Sequence, residues 1–80
     1  MTTVLSLPAV GRLAQRHVRQ ATQPVPVEDV VAWLVNAIGL QDDRARAGVR
    51  LAEIVGRLAA VTDDEQRPCL RIPDERERAA

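Results

Sequence analysis

The sequence predicts an all-α protein: a small three-helix domain over residues 1–62 and a flexible charged tail over 63–80. Three observations carry that reading. The stretch from Val27 to Leu40, VEDVVAWLVNAIGL, is too apolar to stand in water as a lone helix. On both sides of it apolar residues recur at helical spacing. Beyond Val61 the pattern gives way to charge and proline.

The chain opens with TTVL (residues 2–5), short and β-prone, an extended lead-in or a frayed end. Ser6 is placed to cap a helix with Pro8 in its first turn. From Leu7 to Ala21 the apolar residues Leu7, Val10, Ala14, Val18 and Ala21 fall on one face, with Arg12, Arg16 and Arg19 opposite. His17 lies at the edge of the stripe. TQPVP (residues 22–26) follows as a stiff, extended linker, because Gln23 and Val25 each precede a proline and are pushed out of the helical region.

The central helix starts cleanly. Pro26 needs no N–H at a helix start, and Glu28 and Asp29 favour the positive end of the helix dipole. Gly39 is suited to a left-handed C-terminal cap. At about 100° per residue, Glu28, Asp29, Ala32, Asn36 and Gly39 share one narrow arc, and apolar residues fill the remainder. Such a helix is covered by neighbours on most sides. The β-branched Val30, Val31 and Val35 argue for a buried strand instead; the acidic start, the polar arc and the length favour the helix.

Asp42 then caps a third helix predicted from Asp43 to about Val61. It divides into three sectors. Ala47, Leu51, Ile54, Val55, Leu58 and Val61 form a broad apolar face; Ala45, Gly48, Ala52, Gly56 and Ala59 form a strip of small residues; Arg46, Arg50, Glu53 and Arg57 form the polar sector. TDDE ends the predicted order. Pro68 and Pro73 bracket the stretch Cys69 to Ile72 and forbid a helix there. That stretch alternates in a β-like way, but it reads more simply as part of the tail, so a chain cut after Asp64 is expected to fold. DERERAA closes the sequence as a solvated charge run.

Composition limits the function classes. Eighty residues make one small core at most, and the single cysteine gives no internal disulfide. Self-association or a protein partner is the expected source of extra stability. Trp33 is the only aromatic residue, which removes the stacking platforms that hold single-stranded nucleic acid. Net charge is zero, and all eleven basic residues are arginine. No secretory leader is read at the N-terminus, and no segment reaches the length of a membrane span. A cytoplasmic, reducing compartment is the expectation.

Two constellations stand out. Gly48, Ala52, Gly56 and Ala60, spaced by four, line one side of the third helix, with Leu51 and Leu58 on the adjoining apolar face. Glycine inside a helix costs about 1 kcal/mol relative to alanine, so the strip implies that another backbone comes close, from the first helix or from a second molecule. Gly48, Ala52, Gly56, Leu51 and Leu58 are therefore the candidate protein-binding residues. The second constellation is the arginine rows Arg12/Arg16/Arg19 and Arg46/Arg50/Arg57. Side by side, the two helices would gather six guanidinium groups into a site for an anion or nucleic acid; apart, the rows are ordinary solvated faces.

The remaining chemistry is thin. The second and third helices fit a helix-turn-helix poorly, because Asp42 and Asp43 would face phosphate. His17 lacks a second histidine or a nearby cysteine to complete a metal set. Cys69 stands near Arg67 and Arg71, which would favour a thiolate, but has no evident base. Asp63, Asp64 and Glu65 lack the spacing of a calcium loop. No enzyme site, cofactor or small-molecule substrate is expected. The leading reading is a non-catalytic interaction or regulatory module that binds itself or a protein partner. The alternative is a nucleic-acid-binding regulator using the arginine rows.

Overall fold

The computed structural model describes residues 5–73. The lead-in at residues 2–4 and the closing charge run at residues 74–80 lie outside them. The chain forms α1 (Leu7–Arg19), β1 (Val25–Pro26), α2 (Val27–Trp33) continuing into a π-helical segment (Leu34–Ile38), α3 (Asp42–Ile54), β2 (Ala59–Thr62) and β3 (Pro68–Arg71). Three helices and a three-stranded antiparallel sheet make an α+β fold, not the all-α domain predicted.

The helix starts follow local chemistry. Ser6 Oγ accepts from Ala9 N–H at 3.3 Å, and Arg16 and Arg19 occupy the last turn of α1, where cations offset the negative carbonyl end of the dipole. Glu28 and Asp29 fill the first turn of α2. Gly39 closes the π-helical segment in the left-handed conformation, φ 86°. Asp42 and Asp43 stand in the first turn of α3, one step inside the cap, which is Gln41.

The expected third helix overruns the observed one by about two turns, and Gly56 is the reason. It adopts φ +83°, the left-handed position that ends a helix. Arg57 N–H donates to Ala52 C=O at 2.8 Å, and Gly56 N–H to Glu53 C=O at 3.2 Å. That bond pair is a Schellman cap. It releases Leu58 into the core and Ala59–Thr62 into an extended strand.

The tail prediction fails at the same place. Residues 68–71 are the central strand of the sheet, in the order β1-β3-β2. β3 pairs with β2 (Ala59↔Arg71, Ala60↔Leu70, Val61↔Cys69, Thr62↔Pro68) and with β1 (Val25↔Leu70, Pro26↔Cys69). Pro68 is tolerated because it is the first residue of its strand. The stiff linker before α2 supplies the other edge strand.

The hairpin between β2 and β3 is tightly specified. Asp63 N–H donates to Arg67 C=O at 3.1 Å, and Gln66 N–H donates to Asp63 C=O at 2.9 Å. Gln66 takes the left-handed conformation, φ 65°. This is a three-residue loop built on a type I turn with a left-handed third residue. The Asp63 carboxylate accepts from the backbone N–H of Glu65 and Arg67 and from Arg67 Nε, at 2.8–2.9 Å.

α1 and α3 are the principal helix pair and run in the same direction. Arg44 Nη2 donates to Leu5 C=O near one end, and Arg57 Nη1 to Gln15 Oε1 further along. Val10, Ala14 and Val18 of α1 are buried against Ala45, Val49 and Ala52 of α3, with Val30, Val31 and Leu34 from the α2 side. Leu58 and Leu70 join the same core from the end of the chain.

Candidate interaction surface

The small-residue strip of α3 is used inside the molecule. A β-carbon on Gly48 would fall 2.1 Å from Val10 Cγ1, and one on Gly11 would fall 3.2 Å from Gly48 O and 3.3 Å from Ala52 Cβ. The close approach is therefore between α1 and α3. Gly48 and Ala52 are buried by it, and Leu58 is buried separately. Leu51 and Gly56 are half-buried. Gly11, the α1 partner in this contact, was not singled out from the sequence; a glycine facing the strip was the available signal.

A groove of about 300 Å³ opens beside this contact, lined by Pro8, Gly11, Leu51, Ala52, Val55 and Arg57. Val55, which lines it, and the neighbouring Ile54 are the two most exposed large apolar side chains among the described residues, at 57 % and 71 %. Sequence reasoning put both on the buried face of a longer helix. The cap at Gly56 stops the helix before that face is covered.

Arg16, Arg19, the Arg46/Arg50 pair and Arg57 border four different grooves. Arg46 is engaged twice: it grips Glu28 through Nη1 and Nη2 at 3.0 and 2.9 Å, and its Nε donates to Asp42 at 2.7 Å. The hydrogen bonds from Arg46 hold the Glu28 carboxyl below its ordinary value, and Glu28 and Asp42 together hold the guanidinium firmly charged. This fork ties the start of α2 to the start of α3. Arg12, Arg16 and Arg19 are exposed on α1 and make no ion pair among the described residues.

The remaining candidates have structural surroundings. His17 stacks on Trp33 with ring centroids 4.3 Å apart and 14° between planes, in a groove shared with Leu13, Arg16, Gln20 and Ile38. Cys69 is buried at the centre of the sheet. Burial pushes its thiol above the ordinary value, and the Asp63 carboxylate nearby adds to the rise. That is the opposite of an activated thiolate. The backbone N–H groups of Arg67 and Glu65 and the Arg67 side chain hold Asp63 below the usual carboxylate range. Among the described residues, no group of three or more His, Cys, Asp or Glu is arranged to hold a metal ion, and no helix is long and apolar enough to cross a membrane.

Compared with protein families, curated proteins and solved structures, the chain matches none.

Proposed function

We propose that the chain is a small non-catalytic interaction module, binding a second copy of itself or a protein partner through the apolar surface where α3 ends. The observation that carries this reading is the adjoining pair Ile54 and Val55, left exposed beside the groove at Leu51 and Pro8. Most of the apolar surface of these two side chains meets solvent in the lone chain. Covered by a partner, each buried Å² is worth about 25 cal/mol. A reducing, cytoplasmic setting suits a chain whose single cysteine is an unpaired, buried thiol.

The test is Ile54→Glu, a change at an exposed site that leaves the core untouched. Sedimentation across a wide concentration range is expected to show association in the parent and its loss in the variant, with helical circular dichroism unchanged. Association that Ile54→Glu leaves intact removes this surface from the proposal.

The exposed row Arg12, Arg16 and Arg19, in a segment without acids before Val27, keeps a second proposal in view: a nucleic-acid-binding regulator. Salt separates the two. Binding through phosphate falls steeply as salt rises, and an apolar interface does not.

A further inference from the structure

We propose that two copies of the chain pair through their β2 edges, joining two three-stranded sheets into one of six strands. The inference rests on the interaction reading above and names its partner, a second copy in antiparallel register.

The hairpin fixes which side of β2 is open. Asp63 and Arg67 form the hydrogen-bonded pair that closes the loop. Antiparallel alternation then makes Val61↔Cys69 and Ala59↔Arg71 bonded pairs, and Ala60↔Leu70 and Thr62↔Pro68 non-bonded ones. The backbone N–H and C=O of Ala60 and Thr62 therefore point away from β3. Neither enters another hydrogen bond among the described residues, and both residues are exposed.

The two edges of the sheet are built differently. β1 is two residues long and ends in Pro26, with Pro24 just before it, so it offers little to a further strand. β2 reads Ala59-Ala60-Val61-Thr62, with no charge and no proline. Edge strands are normally protected by such residues; this one is not. The exposed Ile54 ends α3 and the exposed Val55 caps it, a few residues before β2 begins.

Charge selects the occupant. Two residues before β2 stands Arg57, whose guanidinium donates to the neutral Gln15 side chain and makes no ion pair among the described residues. At its end stands the acidic loop Asp63-Asp64-Glu65, in which Asp64 has no ion pair among the described residues. A second β2 running antiparallel about Val61 sets Ala60 opposite Thr62 of the other copy. The same register brings the Arg57 end of each strand to the Asp64–Glu65 loop of its neighbour. A parallel copy would set like charge on like.

The experiment uses the full chain. Ala60→Pro deletes the outward N–H and leaves the bonds to β3 in place. Two symmetry-related hydrogen bonds are lost, so the dimer is expected to weaken by about thirtyfold in sedimentation. Should that variant unfold, Ala60→Lys with Thr62→Lys blocks the same edge without touching the backbone. Register is read by mixing a chain carrying Ala60→Cys with one carrying Thr62→Cys, both with Cys69→Ala. Mild oxidation is expected to link the mixture and neither chain alone. A parent that is strictly monomeric at high micromolar concentration overturns the pairing. A parent dimer that Ile54→Glu breaks, but the edge variants and the cysteine pair do not register, overturns the edge proposal and leaves the apolar surface standing.

Discussion

Gly48 of α3 and Val10 of α1 touch with no room for a side chain between them. A β-carbon on Gly48 would stand 2.5 Å from Val10 Cβ, an atom fixed to the backbone of a fully buried residue. Gly48→Ala is expected to force the helices apart. Overpacking of about 1–3 kcal/mol outweighs a helix-propensity gain of about 1 kcal/mol. Gly11→Ala meets its neighbours at 3.2 Å and beyond and is expected to do less harm. Urea unfolding of the two variants side by side checks the order; equal midpoints would show that the pair can part without cost.

A chain ending at Asp64 is expected not to melt cooperatively. It lacks the central strand, and with it Leu70 and Cys69, both buried, as well as the pairing partner of β1 and β2. Leu70→Ala alone is expected to cost about 2–5 kcal/mol, the range for an emptied core site. Leu34→Ala, at the other fully buried leucine, should fall in the same range. Thermal circular dichroism decides it, and a sharp transition in the shortened chain would mean that the helices close the core without the sheet.

Gln66→Gly is expected to stabilise. Gln66 occupies φ 65° at the third position of the hairpin loop, where a side chain costs about 1–2 kcal/mol and glycine nothing. Glycine also loses more freedom on folding, about 0.5–1 kcal/mol, so a net gain of about 0.5 kcal/mol is expected. Chemical unfolding with an unaltered slope would register it as a shifted midpoint; a lower midpoint would show that the Gln66 side chain holds something worth more than its strain.

Acid is expected to weaken the fold through Glu28 and Asp63. Both carboxyls are held below their ordinary values, Glu28 by Arg46 and Asp63 chiefly by the Arg67 backbone. A group whose folded pKa is depressed lends its stability above the unfolded value, about 4 for these side chains, and loses it as pH falls through the folded one. Melting temperature should hold from pH 7 to about pH 5 and drop below about pH 4. Glu28→Gln combined with Asp63→Asn should flatten that drop. A double variant whose acid profile overlays the parent's would place the sensitivity in other carboxylates.

Much of the helical layer was legible in the sequence. Val10, Ala14 and Val18 recur at four-residue spacing and are buried, and Gly39 ends its helix as its lack of a side chain allows. The sheet was hidden for local reasons. Gly56 falls at the same four-residue interval as Gly48 and Ala52, so a cap read as one more member of a strip. Ala59 and Ala60 favour helix over strand, and their extended state comes from pairing with residues 68–71. The prolines around Cys69 rule out a helix but do not announce a central strand. For the candidate surface, spacing revealed that Gly48 and Ala52 meet a backbone but not whose. Ile54 and Val55 looked buried because only the cap shows where their helix stops.

The strand order also sets a timetable. β1 and β2 each border β3, yet β3 follows every other described element along the chain. During synthesis the helices can begin to collapse, while the sheet waits for residues 68–71 to emerge. Val25 reaches across to Leu70, a long loop to close before that pairing returns any stability. Until then the β2 edge is open on both sides, so the nascent molecule is most prone to clump in the interval just before its central strand arrives.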